Sequence, residues 1–171
     1  GYLEDDKLDA ASGKLDSLEQ DSSLTDEQRK QVEDMKNKLQ SAKDSAQQQQ
    51  ENEQKKSERK QAFSSEMDEL ESDDLKISSA ANAEDELAMT ASSFEQWDEL
   101  LSEMYDYLAG VLNADRYASE EENYKQWVAE RDSGAENAAS ATEDSTQKQL
   151  ASYSFKQSYT KARCYKLLDM M

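Results

Sequence analysis

Proline and histidine are absent from the 171-residue chain, cysteine occurs once and glycine four times. Each scarcity excludes something. Without proline there is no collagen-like or proline-rich architecture. Without histidine there is no His-based metal site, no Ser-His-Asp triad and no Cys-His dyad. Cys164 alone cannot form a disulfide within the chain. No apolar run approaches the ~18 residues that a membrane-crossing helix needs. Few glycines and no proline also leave little to interrupt helices.

What is abundant is acid. Asp and Glu number 39 against 20 Lys and Arg, a net charge of −19. Apolar residues make up 35% of the chain, below the ~45–50% of ordinary globular proteins, so any core must be concentrated. Eleven of the thirteen aromatic residues lie in 94–165, which places it there. The charge is uneven as well. Residues 61–132 hold 20 acids and only four bases (Lys76, Arg116, Lys125, Arg131), whereas 133–171 hold four acids and five bases. Such an acidic block repels nucleic acid and anionic lipid and attracts basic proteins. The same acids could equally form a solvated helix face.

The periodicity is helical throughout. Leu3, Leu8, Leu15 and Leu18 predict a first helix over 3–20 with Gly13 as its weak point. Asp21 to Leu24 reads as a turn. Thr25 with Gln28 three residues later matches a capping box, followed by the stripe Val32, Met35, Leu39, Ala42 and Ala46. Residues 47–61 contain no aliphatic side chain but many good helix formers, so an exposed helix is favoured over a flexible tether. Phe63, Met67, Leu70 and Ile77 predict a third helix, with Leu75 poorly placed and an end near Ser78. Asn82 with Asp85 caps the next, whose stripe is Leu87, Ala91, Phe94, Trp97, Leu101, Met104, Leu108 and Val111, closed by Gly110 and Asn113. A helix over 114–141 carries Tyr117, Tyr124, Trp127 or Val128, Arg131, Ala135 and Ala138, with Gly134 inside it. The last, over 146–169, presents Leu150, Tyr153, Gln157, Thr160, Cys164, Leu167 and Met171 as a seam alternating three and four. The expected fold is all-α: an antiparallel three- to four-helix bundle over 62–171, with a helical hairpin and polar helical linker over 1–61.

Three constellations invite chemistry. Tyr124, Trp127, Arg131 and Asp132 put a guanidinium one turn from an indole. Its first reading is a buried arginine satisfied by carboxylates, its second a ligand-binding arginine. Replacing Arg131 by Ala should cost ~3 kcal/mol or more if a carboxylate is left unpaired inside the bundle. Cys164, on the seam, reads as a small buried apolar residue. The acids Glu66, Asp68, Glu69, Glu71, Asp73 and Asp74, like Glu120 to Glu122, read as surface charge or as a docking surface. They lack the EF-hand spacing and the sheltered pair that glycoside hydrolysis needs. No cofactor, metal or catalytic constellation is expected.

Three segments in order, WDELLSEMYDYL at 97–108, YKQWVAERD at 124–132 and SYTKARCYKLL at 158–168, resemble the lysozyme inhibitor LprI-like N-terminal domain family. The motif positions are Tyr105, Trp127, Arg131, Asp132, Thr160 and Arg163, and the resemblance covers about 62–171. The Arg-Cys-Tyr form is similar to lipoproteins of Gram-positive bacteria. Two departures stand out: a single Cys, and Ser102-Glu103 where the family commonly has Asn. The resemblance implies a non-enzymatic, extracytoplasmic protein, at the cell surface or secreted, lipid-anchored through a segment upstream of Gly1. It implies an inhibitor that binds a basic protein such as lysozyme. Opposite charge would speed that encounter, with the acids of Glu66 to Asp74, Glu84 to Glu86, and Glu95, Asp98, Glu99 and Glu103 as candidate contacts. The alternative is a structural or adaptor lipoprotein that binds another envelope protein.

Overall fold

The computed structural model describes residues 2–171, with side chains from Lys7 onward. The chain is all-α. The described residues form five helices: α1 (Tyr2–Glu19), α2 (Asp26–Ile77), α3 (Ala83–Val111), α4 (Ala114–Ala139) and α5 (Ser145–Met170). They fall into two compact units, Gly1–Glu58 and Arg59–Met171. The division lies inside α2, which contributes to both. Of the first stripe, the Leu3 side chain lies outside the described residues.

In the first unit α1 and α2 form an antiparallel hairpin. The α2 start is a capping box: the Thr25 amide donates to Gln28 Oε1 at 2.9 Å and the Gln28 amide to Thr25 Oγ1 at 3.3 Å. The face turned to α1 is Val32, Lys36, Leu39, Lys43 and Ala46, not the expected Met35 and Ala42, which are exposed. Two lysines fit this seam because α1 supplies the acids. Lys36 pairs with Asp16 at 2.7 Å and also with Glu19, and Lys43 pairs with Asp9 at 2.7 Å. Residues 47–58 remain helical though wholly exposed. Gln47 bridges to Glu51 and Gln54 to Glu58 along this stretch. The third helix expected to start near 62 is therefore the continuation of α2, since no residue between 26 and 77 breaks it.

In the second unit α2 from Arg59, α3, α4 and α5 form an up-down-up-down bundle. Facing pairs fix the directions. Phe63–Tyr107 and Asp74–Ser93 run α2 against α3; Tyr105–Glu120 and Asp98–Arg131 run α3 against α4; Glu120–Arg163 and Gly134–Phe155 run α4 against α5. The core is Phe63 and Met67 of α2, Trp97, Leu100, Leu101, Met104 and Leu108 of α3, Trp127 of α4, and Cys164, Leu167 and Met171 around α5. Each such side chain contributes on the order of 2 kcal/mol on burial. Leu75 is exposed, as its register requires, and Val111 proves half-exposed at the frayed end of its stripe. Asn82 caps α3 by accepting the amides of Glu84 and Asp85, and Asn113 caps α4 instead of closing α3. Gly110 lies within α3 with no left-handed φ, so it is not the helix stop that the sequence suggests.

Candidate functional site

The polar residues of the bundle sort into internal layers and open grooves. In the first layer Asp74 of α2 points inward at the stripe position between Leu70 and Ile77. It accepts from Ser93 Oγ, from Trp97 Nε1 at 3.1 Å and from Gln157 Nε2 at 2.8 Å, with Lys161 Nζ at 3.5 Å. The polar centre of the α5 seam at Gln157 is thus matched to one carboxylate, which removes the cost of burying either alone.

The second layer joins three helices around Arg163, which is only 5% exposed. Its Nε and Nη2 donate to Tyr105 Oη at 2.9 and 2.7 Å, and Nη2 also donates to Glu120. Tyr105 donates to Glu120 Oε1 at 3.1 Å, and Asn123 donates to the other oxygen at 3.4 Å. Glu120 is a correction. Its run of three glutamates reads as surface charge, yet it is buried, because it completes the stripe Tyr117, Glu120, Tyr124, Trp127 and Arg131 and Arg163 neutralises it. Burial pushes the Tyr105 hydroxyl above its ordinary range, against the pull of Arg163.

The third layer is Arg131. Its Nη1 donates to Asp98 at 2.7 Å and its Nε to Asp132 at 3.1 Å. Its guanidinium lies 5.2 Å from the Trp127 ring centroid, and that of Arg163 lies 5.8 Å from the same ring. Five of the six motif residues, Tyr105, Trp127, Arg131, Asp132 and Arg163, therefore meet around the α3–α4–α5 contact. Thr160 is fully buried deeper in the seam, and its hydroxyl has no partner among the described residues. Cys164 is buried, with its Sγ 3.7 Å from the Trp97 carbonyl oxygen, and burial pushes its thiol up to about 12.

Outside these layers the surface is grooved, and two of the grooves are rich in charged side chains. One, about 390 Å³ between α4 and α5, is lined by Trp127, Tyr159, Glu130, Arg163 and Lys166. Its aromatic rings belong to one continuous stack, Tyr124, Trp127, Tyr159 and Phe155. Glu130 accepts from both Tyr159 and Gln126.

The other, about 300 Å³ between α2 and α3, is strongly acidic: Glu66, Glu69, Asp73, Glu99 and Glu103 surround Gln96 and an apolar floor of Leu70 and Leu100. Its geometry follows from helical spacing. Glu66, Glu69 and Asp73 flank the buried stripe of α2 on the side toward α3, and Glu99 and Glu103 flank that of α3 on the side toward α2. Arg59 reaches Glu103 at 3.0 Å, and Lys76 pairs with Asp73. Glu69 and Glu99 have no ion-pair partner among the described residues. The arrangement can seat a lysine or arginine side chain, its methylenes on the leucines and its charge among the carboxylates.

Of the candidate docking acids, then, five line this groove. Asp74 is internal and Asp98 is engaged by Arg131. Glu71 is held by Lys161 at 2.8 Å and Tyr165 at 2.7 Å, which lowers its carboxyl below the ordinary range. Asp68 and Glu95 are exposed away from the groove. Leu70 and Leu100 escape sequence reasoning as part of a site, because apolar stripe residues look alike whether they end in a core or at the foot of a cleft. Among the described residues no group of His, Cys, Asp and Glu is arranged to hold a metal, and no helix is long and apolar enough to cross a membrane. Compared with known proteins, the chain matches no family model, no curated protein and no solved structure.

Proposed function

We propose that this chain is a non-catalytic binding protein of the bacterial cell envelope that captures a basic protein, in the manner of the lysozyme inhibitors its C-terminal segments resemble. The observation that carries the reading is the α2–α3 groove, in which five carboxylates surround two leucines and two of the five have no ion-pair partner among the described residues. Such a cleft offers a basic side chain both an apolar wall and an opposite charge, and the acidic surroundings raise the association rate. The buried arginine layers support the same reading indirectly. They commit the motif residues to holding α3, α4 and α5 in register, which leaves the surface to do the binding.

A muramidase lysis assay tests it. Inhibition should appear at micromolar protein in low salt and weaken as ionic strength rises to ~150 mM, where exposed charges are screened within ~8 Å. Glu69→Gln with Glu99→Gln should weaken inhibition about tenfold without changing helix content, since neither supports the fold. Absence of inhibition in either buffer would overturn the muramidase as target. A second reading, an adaptor that binds another envelope protein, is favoured by the separate helical unit Gly1–Glu58, which contributes nothing to this groove. Recovery of one envelope protein from extract, retained by the variant carrying the same two substitutions, would select it.

A further inference from the structure

The α1–α2 hairpin has two long sides of opposite character. Its seam is made by Leu8 and Leu15 of α1 and by Val32, Lys36, Leu39, Lys43 and Ala46 of α2. At 3.6 residues per turn, Ala11 and Leu18 fall on one flank of the α1 seam and Asp9 and Asp16 on the other. On α2, Met35 and Ala42 fall on one flank and Glu33 and Asp44 on the other. Because the two helices are antiparallel, the flanks bearing Leu18 and Met35 open on the same side. The ion pairs of Lys36 with Asp16 and Glu19, and of Lys43 with Asp9, lie toward the opposite, acidic side.

The open side is apolar at its centre and basic at its rim. Leu18 is 43% exposed and Met35 46%. Next around each helix stand Lys14 and Lys38, both exposed and neither with an ion-pair partner among the described residues. Within residues 8–46 no carboxylate falls on this side between them. Val32 is the single fully buried apolar side chain among the described residues of the unit. Two helices with so thin a seam gain little from each other, and a third helix laid on the open side would bury what they leave bare.

We propose that this side of the hairpin is a docking surface for an acidic amphipathic helix of a partner protein, its apolar residues on Leu18, Met35, Ala11 and Ala42 and its carboxylates on Lys14 and Lys38. Charge selects this occupant. A second copy placed face to face would set Lys14 and Lys38 against their own counterparts, which destabilises the contact. The site is independent of the acidic groove and has the opposite preference.

The test uses the full chain and two labelled synthetic helical peptides of about 20 residues, long enough to be helical when docked. Both carry leucines at alternating three- and four-residue spacing; one has Glu at the flanking positions and the other Gln. Fluorescence anisotropy should show the Glu peptide binding about tenfold tighter than the Gln peptide in low salt. Lys14→Ala with Lys38→Ala should erase that difference, and Leu18→Ser with Met35→Gln should weaken both peptides about tenfold. All four positions are exposed, so circular dichroism should stay unchanged. Equal binding of the two peptides, no binding, or persistence of the preference in the lysine variant would overturn the proposal. So would sedimentation showing a dimer of the chain that Leu18→Ser with Met35→Gln dissolves, because the occupant would then be a second copy.

Discussion

Arg163 and Arg131 are both buried, but their partners differ in exposure and so should their substitutions. Arg163→Ala would strand Glu120, whose side chain is 7% exposed, and should cost ~3–5 kcal/mol in urea unfolding. Arg163→Met with Glu120→Gln should recover most of it, since removing both charges also removes their desolvation. Arg131→Ala leaves Asp98 and Asp132, which are 41% and 48% exposed, so water compensates and the loss should be about 1 kcal/mol. This is less than burial of Arg131 alone suggests. At Thr160 a buried hydroxyl without a partner makes Thr160→Val neutral or stabilising by up to ~1 kcal/mol, measurable in the same titrations. Cys164 and Tyr165 contribute to the alkaline pH dependence, in the same direction as Tyr105, Tyr124 and Tyr159, whose hydroxyls burial also pushes up. Burial raises the thiol from 9.0 to about 12, and the hydrogen bond to Glu71 raises the phenol from 10.0 to about 12. In both the folded state favours the protonated form, so their contribution is complete below pH 9 and is lost as pH rises toward 12. Thermal melts should hold level from neutral pH to 9 and fall beyond it, and Cys164 should resist a thiol reagent at pH 8 until the protein is unfolded.

Caps and faces follow from short-range patterns, and most of these were legible, though the break expected near 62 and the stop expected at Gly110 are not there. The Thr25 box, the Asn82 cap and the α3 stripe appear in the structure where the spacing puts them, because a cap or an i, i+4 face depends on neighbours within one turn. Where two helices meet, local pattern stops being enough. Met35 reads as core and is exposed, while Lys36 beside it faces α1, since the acids of α1 decide which flank turns inward. Gly134 reads as a break or a crossing. It is a close crossing: a Cβ there would overlap the Phe155 ring of α5, at the end of the aromatic stack. Gly134→Ala should therefore destabilise by ~1 kcal/mol or more, the ~1 kcal/mol gain in helix propensity notwithstanding. In a Phe155→Ala background the same change should stabilise. A thermal double-mutant cycle reads this reversal, and a gain in both backgrounds would mean that α4 and α5 are not in contact there.

The two units differ in what they bury. Among the described residues the hairpin buries one apolar side chain, Val32, whereas the bundle encloses a connected set from Phe63 to Met171. A fragment of residues 59–171 should melt cooperatively, and one of residues 1–58 should show only partial, non-cooperative helicity in circular dichroism. The composition anticipates this division, because aromatic residues concentrated in the C-terminal part can be buried nowhere else. What could be known without coordinates was the helical class, the bundle and the excess of acid, all of which arise from periodicity and counting. What could not was the fate of each acid. Glu120 and Asp74 went inside, Glu71 and Asp98 were claimed by α5 and α4, and Glu66, Glu69, Asp73, Glu99 and Glu103 were gathered into one cleft. A carboxylate's energy depends on the charge and the water around it, and both are supplied by helices distant in the chain, so those assignments wait on the packing.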